Sequence, residues 1–225
     1  MSTQLQVIEN KLTSPDAASN FALSLNLDPE DDRQMKRAMH YAHGVLAEVM
    51  RTQGGKADLT QCNPDSIMQS AQDAARMGLH IDKRQHAHLV KRGNNVQLEI
   101  GYRGYMAKIK EVYPDAEFRV EPIYDGDDLQ MWDENGFQNY ALTKKDPFRT
   151  GQGGLKGVLV AVSYTDGGRM VQHVKPIPKE RIDRAQKAAQ TDYVWKSDYL
   201  EKAKAAAIKS ACKHIFAGLT GLERV

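Results

Sequence analysis

An α+β fold is expected, with N-terminal helices, a central mostly antiparallel sheet that holds a hairpin and an inserted helix, and C-terminal helices. Three observations predict it. Apolar residues recur at three- and four-residue steps between 29 and 77, the period shortens to two between 86 and 100, and Leu155 to Tyr164 is a nearly continuous apolar run. A chain of 225 residues, 41% hydrophobic and 27% charged, is long enough to bury a core of that kind.

Residues 1–28 are polar and poorly periodic, with Ser14-Pro15-Asp16 as a turn, and read as a flexible N-terminal arm with at most one short helix around Ala17 to Leu25. Pro29 followed by Glu30, Asp31 and Asp32 opens a helix, because proline suits the first turn and acids meet the positive end of the dipole. It runs to about Arg51, with Met35, Met39, Ala42, Leu46 and Val49 or Met50 as its apolar stripe. Asn63-Pro64-Asp65 opens a second helix over 66–77, closed by Gly78. Strands over 86–92 and 96–100 join through Gly93-Asn94-Asn95, residues that tolerate the positive φ of a hairpin turn. A helix follows over 102–112.

Residues 116–124 alternate as a strand, Asp125 to Asp128 turn the chain, and 129–133 are expected to pair back. Residues 134–154, with Gly136, Pro147, Gly151, Gly153 and Gly154, read as a long irregular excursion. Leu155 to Tyr164 is the best candidate for a central strand, and Asp166-Gly167-Gly168 turns it into a last strand over 169–175. Helices over 178–189 and 197–216 finish the chain. The organisation expected is an arm over 1–28, one domain over 29–217 and a short tail over 218–225.

The formal net charge is only +2, but its distribution is uneven. Residues 83–110 hold seven basic residues and one acid, 111–146 hold three basic and ten acidic, and 175–225 hold eleven basic and six acidic. Such blocks offer local anion-binding surfaces without an overall basic protein. Two distant cysteines, Cys62 and Cys212, fit neither a disulfide framework nor a zinc module, which points to a reducing cytoplasm. No secretory leader pattern and no run of about 18 apolar residues occurs, so neither export nor membrane association is expected.

Several motifs fail on inspection. In Gly151-Gln-Gly-Gly-Leu-Lys-Gly157 the lysine lacks the preceding glycine and following hydroxyl of a phosphate loop. Asp125, Asp127 and Asp128 lack calcium-loop spacing, and a solvated turn is the better reading. His86 and His88 share a strand face as metal ligands do, but no second pair with fitting carboxylates is apparent. No metal and no cofactor is expected.

What remains is two basic surfaces. At 100° per residue Arg103 and Lys110 share one side of the 102–112 helix, while Tyr102 and Tyr105 face the other as core or as stacking platforms. Lys202, Ala206, Lys209 and Lys213 form one stripe of the last helix, with Leu200, Ala207, Ala211 and Ile215 opposite. Lys91 and Arg92 lie at the hairpin tip, and Lys175, Lys179 and Arg181 where the last strand meets the next helix. Converging, these would form a groove that holds phosphates, salt-dependent and indifferent to sequence.

The run Ala75-Arg-Met-Gly78-Leu79-His-Ile-Asp82, then His88-Leu-Val90, then Gln97-Leu-Glu-Ile100-Gly101-Tyr102-Arg103-Gly104-Tyr105 resembles the central signature of the RecT family of phage-type single-strand DNA annealing proteins. The later Val174-Lys-Pro-Ile-Pro-Lys-Glu-Arg-Ile182, Trp195, Asp198-Tyr199 and lysine-rich helix fit the same pattern, so the likeness spans about 30–216. This chain departs from it at Lys91, where proline is usual, and at Lys202-Ala203-Lys204-Ala205-Ala206, where Met-Ala-x-Lys-Thr is usual. It also stops at Val225 without the further C-terminal segment that many members carry, as a short or trimmed member would.

The resemblance implies a binding protein rather than an enzyme. Its expected action is ATP-independent annealing of complementary strands in phage or prophage recombination, through a homo-oligomeric ring or filament. Single-stranded DNA and the annealed duplex are then its ligands, with a cognate exonuclease and host single-strand-binding protein as partners. Base pairing, at about 1.4 kcal/mol of stacking per step, supplies the driving force.

The residues expected at the DNA are Lys91, Arg92, Arg103, Lys108, Lys110, Lys175, Lys179, Arg181, Lys202, Lys209 and Lys213. Trp195 joins them, to stack on a base or brace the groove. The rival readings are a magnesium-dependent nuclease built on the acids near Asp125, and a structural or interaction subunit that binds no DNA.

Overall fold

In a computed structural model of the chain, residues 3–134, 137–189 and 193–220 are described. By internal packing the chain divides into two compact units, residues 1–107 and 108–225.

The first unit is a helical cluster beside a hairpin. Its helices are α1 (Thr3–Thr13), α2 (Pro15–Ser24), α3 (Asp32–Arg51) and α4 (Pro64–Arg76), followed by β1 (Ala87–Arg92), β2 (Asn95–Ile100) and the start of α5 (Tyr102–Val112). Residues 3–28 do not form an arm with a single short helix. Leu5, Ile8 and Leu12 of α1 are buried, a spacing of one apolar stripe, and so are Ala17, Ala18, Phe21 and Ala22 of α2. Ser14 separates the two helices and caps the second, its hydroxyl accepting from the Ala17 amide at 3.1 Å.

Helix α3 starts three residues later than the Pro29 signal suggests, because the Asp31 carboxylate caps it by accepting from the Arg33 and Gln34 amides. Its buried stripe is Ala38, Tyr41, Ala42, Val45, Leu46 and Val49, rotated away from Met39 and Met50, which stay exposed. Small residues at 38 and 42 let α1 and α2 approach closely. Tyr41 fixes α3 to the chain leaving α4, its hydroxyl donating to the carbonyl of Leu79 at 2.9 Å, and burial pushes that phenol's pKa up. Gly78, at φ 64°, closes α4 as expected.

The second unit is layered. Strand β6 (Leu155–Asp166) lies between β3 (Glu117–Tyr124) and β7 (Arg169–Pro178), all antiparallel. The apolar run expected as a central strand is therefore central. Strands β4 (Asp128–Glu134) and β5 (Phe137–Thr143) pair with each other. Residues 129–133 thus do not pair back on β3, and over a third of the expected irregular excursion, Glu134 and Phe137–Thr143, is strand. Tyr140 and Thr143 in β5 favour an extended chain. Gly136 lies outside the described residues.

Leu129 of β4 and Tyr140 of β5 pack with Ile123 on Leu159, Ala161 and Val174, covering one sheet face. Helices α6 (Lys179–Lys187), α7 (Tyr193–Ser197) and α8 (Tyr199–Thr220) complete the unit. The helix expected from 197 to 216 starts at Tyr199, after the separate short turn that holds Trp195. Helix α8 packs on the sheet through Tyr199, Ala203, Ala207, Ile208, Cys212 and Phe216, all buried.

The loop from 144 to 154 is held by Arg149, which donates to the Gly153 carbonyl at 2.9 Å and lies 4.9 Å above the Tyr124 ring. Gly154 sits at φ 68° against that guanidinium, where a Cβ would lie 2.3 Å from its nitrogen. The glycine run that resembles a phosphate loop is therefore occupied by its own arginine.

Candidate nucleic-acid interface

The expected DNA-contacting cations fall into two classes once their partners are known. In the first unit all are engaged. Lys91, half-buried, donates to the Asp58 carbonyl at 3.3 Å. Arg92 pairs with Glu99 at 2.7 Å across the hairpin: both lie on the same hairpin face, and the long arginine side chain reaches over the Val90–Gln97 pair that separates them. Arg103 is exposed and leans on Tyr102, its Nε donating to the phenol oxygen at 3.2 Å. Tyr102 and Tyr105 are both half-buried.

In the second unit the cations divide. Lys108 pairs with Glu111 at 2.8 Å and Lys179 with Asp183 at 2.5 Å. Lys209 also has an interaction within the chain. Lys110, Lys175, Arg181, Lys202 and Lys213 have no hydrogen-bonding or ionic partner among the described residues, and Lys110, Arg181 and Lys213 are exposed.

Asp183 is a structural hub rather than a catalytic acid. Burial opposes its charge, but the bonds from Lys179 and from the Tyr199 hydroxyl, the latter at 2.9 Å, hold its carboxyl below the usual range. This ties α6 to α8. Trp195 is 7% exposed and tilted against Tyr199 with ring centroids 5.7 Å apart. Of the two roles open to it, that geometry serves bracing; a stacked base has no access to its face.

The cations of this unit do not all lie on one flank of α8. Lys202, Lys209 and Lys213 share a stripe, as the spacing predicts. Lys175 projects from β7 on the sheet face that carries Val160, and meets the side of α8 bearing Ala211, His214 and Ile215. Ala211 and Lys213 are about 200° apart around the helix axis. Lys175 therefore approaches α8 from the flank opposite Lys209 and Lys213, with the buried seam between.

Sequence reasoning misses two cations. Arg184 and Lys187 are exposed on α6 and continue the edge begun by Arg181. Their spacing of three residues is the available signal, obscured because the basic block reads as a strand-helix junction rather than as a helix face.

The other candidate chemistry is absorbed by structure. Asp127 accepts from the Tyr124 and Lys145 amides, which outweigh desolvation and lower its pKa, and Asp125 pairs with Lys156 at 3.0 Å. His86 precedes β1 and is half-buried, 5.6 Å from the His80 ring, while His88 is exposed, so the two do not act as a pair. Among the described residues no three His, Cys, Asp or Glu side chains gather as a metal site requires. Cys62 and Cys212 are both buried free thiols, and burial pushes the Cys212 thiol up to about 12. Among the described residues no helix is long and apolar enough to cross a membrane.

A family model described as the RecT family matches residues 43–219. The chain belongs to the RecT family. No curated protein matches it. RecT membership implies single-strand annealing in recombination, and the fold accounts for the part of the motif that carries the likeness. A Cβ on Gly101 would lie 2.6 Å from the Gln85 carbonyl oxygen, and one on Gly104 only 2.2 Å from that of His86. Only glycine lets α5 start so close to the chain entering β1. The Gly-Tyr-Arg-Gly segment thus fixes where Arg103 leaves the helix.

Proposed function

We propose that this RecT-family chain binds single-stranded DNA and anneals complementary strands without ATP during phage-type homologous recombination. Residues 29–217 carry the activity. They work in the cytoplasm as a homo-oligomeric ring or filament whose groove holds the sugar-phosphate chain. An exonuclease exposes the strand, and the host single-strand-binding protein shares it. The observation that carries this reading is the set of unpartnered cations on β7, α6 and α8 within a chain whose family match spans 43–219.

Phosphates neutralised in this way cease to repel a second strand, while base edges stay open to test the sequence. Weak contacts per protomer add through effective concentration in an oligomer. No covalent step is needed, and no cofactor enters. The acids a magnesium-dependent nuclease would use are already bonded to backbone amides and Lys156, which disfavours that alternative.

The test is titration of a fluorescent oligonucleotide over a range of salt. Wild type binds with a steep salt dependence, and Arg181→Ala with Lys213→Ala weakens binding and lowers the slope by about 1.4, roughly 0.7 for each phosphate no longer neutralised. Unchanged affinity and slope would remove both residues from the site. A chain that never binds would favour the structural-subunit reading.

A further inference from the structure

The second unit contains a cavity of about 420 Å³ that the phosphate groove does not explain. Tyr113, Val162, Tyr164, Ala211, Ile215 and Leu219 give it largely apolar walls, and Lys175, His173, His214 and Gln138 stand at its polar positions. Tyr113 and Tyr164 stack at 4.0 Å with their planes 18° apart, and the Tyr164 hydroxyl and His173 Nε2 share a hydrogen bond of 3.0 Å. Lys175 is half-buried with no partner among the described residues.

A phosphate chain alone does not suit such a space, because most of the wall offers it no donor. A planar ring with apolar faces, a polar edge and an anionic group attached does. We propose that this cavity takes one unstacked nucleobase of the bound strand, lodged beside the Tyr113–Tyr164 pair, with its backbone phosphate at Lys175. The inference rests on the single-strand-binding reading and adds to it a base-binding subsite for each protomer. Every base has a π-face, so the subsite is sequence-tolerant. It withholds one base per protomer from pairing while its neighbours remain open to the complement.

The test compares two labelled probes in fluorescence anisotropy at low salt: a 20-nucleotide oligothymidylate, and the same backbone with abasic sites throughout. Wild type binds the base-bearing probe about tenfold tighter, as base stacking of this kind provides. Tyr113→Ala and, independently, the cavity-filling Ala211→Trp abolish most of that preference while leaving affinity for the abasic probe and its salt slope unchanged. Lys175→Ala weakens both probes alike.

Equal binding of the two probes by wild type overturns the cavity proposal and leaves the phosphate groove standing. Preference retained in both Tyr113→Ala and Ala211→Trp, each checked for native melting, also overturns it, because the base then stacks elsewhere. Failure of wild type to bind either probe overturns the single-strand-binding reading itself.

Discussion

The two units treat their cations differently. In the first, each lysine or arginine expected at DNA is already held by the protein: Lys91 by a carbonyl, Arg92 by Glu99, Arg103 by a tyrosine. In the second, Lys110, Lys175, Arg181, Lys202 and Lys213 are held by nothing among the described residues. Counting charge along the sequence gives the two blocks similar weight, yet only partners decide what is available to a phosphate. An exposed pair such as Arg92–Glu99 contributes about 0–1 kcal/mol, and Arg92 gives up that much before it can serve a phosphate, a cost the unpartnered cations do not carry.

The largest expected effect separates the structural role of the first unit from the binding role of the second. Phe21→Ala removes a fully buried ring and should cost about 3–5 kcal/mol in urea unfolding followed by circular dichroism. A cost below about 1 kcal/mol would restore the loose-arm view of residues 1–28. Next is the triple variant Lys175→Ala, Arg181→Ala, Lys213→Ala. Its affinity for an oligonucleotide at about 50 mM salt should fall on the order of a hundredfold or more, and the salt slope by about 2. A matching loss from Lys91→Ala with Arg92→Ala would erase the distinction between the units.

A smaller effect sharpens the same comparison. Glu99→Ala releases Arg92 and should tighten binding by a factor of about two to five in the same titration, consistent with an exposed ion pair of modest strength. Weaker binding would mean that Glu99 positions the hairpin for DNA.

The smallest effect is a pH dependence. Burial lowers the pKa of His80 and His86, aided by Arg84. The folded state therefore prefers both rings neutral. Their contribution is intact above the unfolded value of about 6.5 and is lost as pH falls below it. Melting temperature should drop between about pH 7.5 and 5.5 by more in wild type than in His80→Gln with His86→Gln, and an equal drop would clear these rings of any part.

Much of the fold was legible. Apolar periodicity places α3 and α4, Gly93 and its neighbours place the β1–β2 turn, and the run from Leu155 places the central strand. What escaped has physical causes. Leu5, Ile8 and Leu12 form a stripe too short and too polar in its surroundings to stand out, and α1 owes its place to packing against α3. Strand β5 was masked by the glycine and proline residues that surround it. At the site, Trp195 and Asp183 acquire their roles from Tyr199, a partner that no spacing rule links to both. Lys175 shows the limit most directly: its charge is plain in the sequence, but the flank of α8 it approaches follows only from the β6–β7 register.

Annealing itself is the most direct measurement. Two complementary oligonucleotides, one carrying a fluorophore and the other its quencher, are mixed with purified protein in the absence of any nucleotide. Protein-dependent acceleration of duplex formation is expected, fading as salt rises and leaving both strands at full length. No acceleration at any protein concentration, or strands shortened on addition of magnesium, would contradict it.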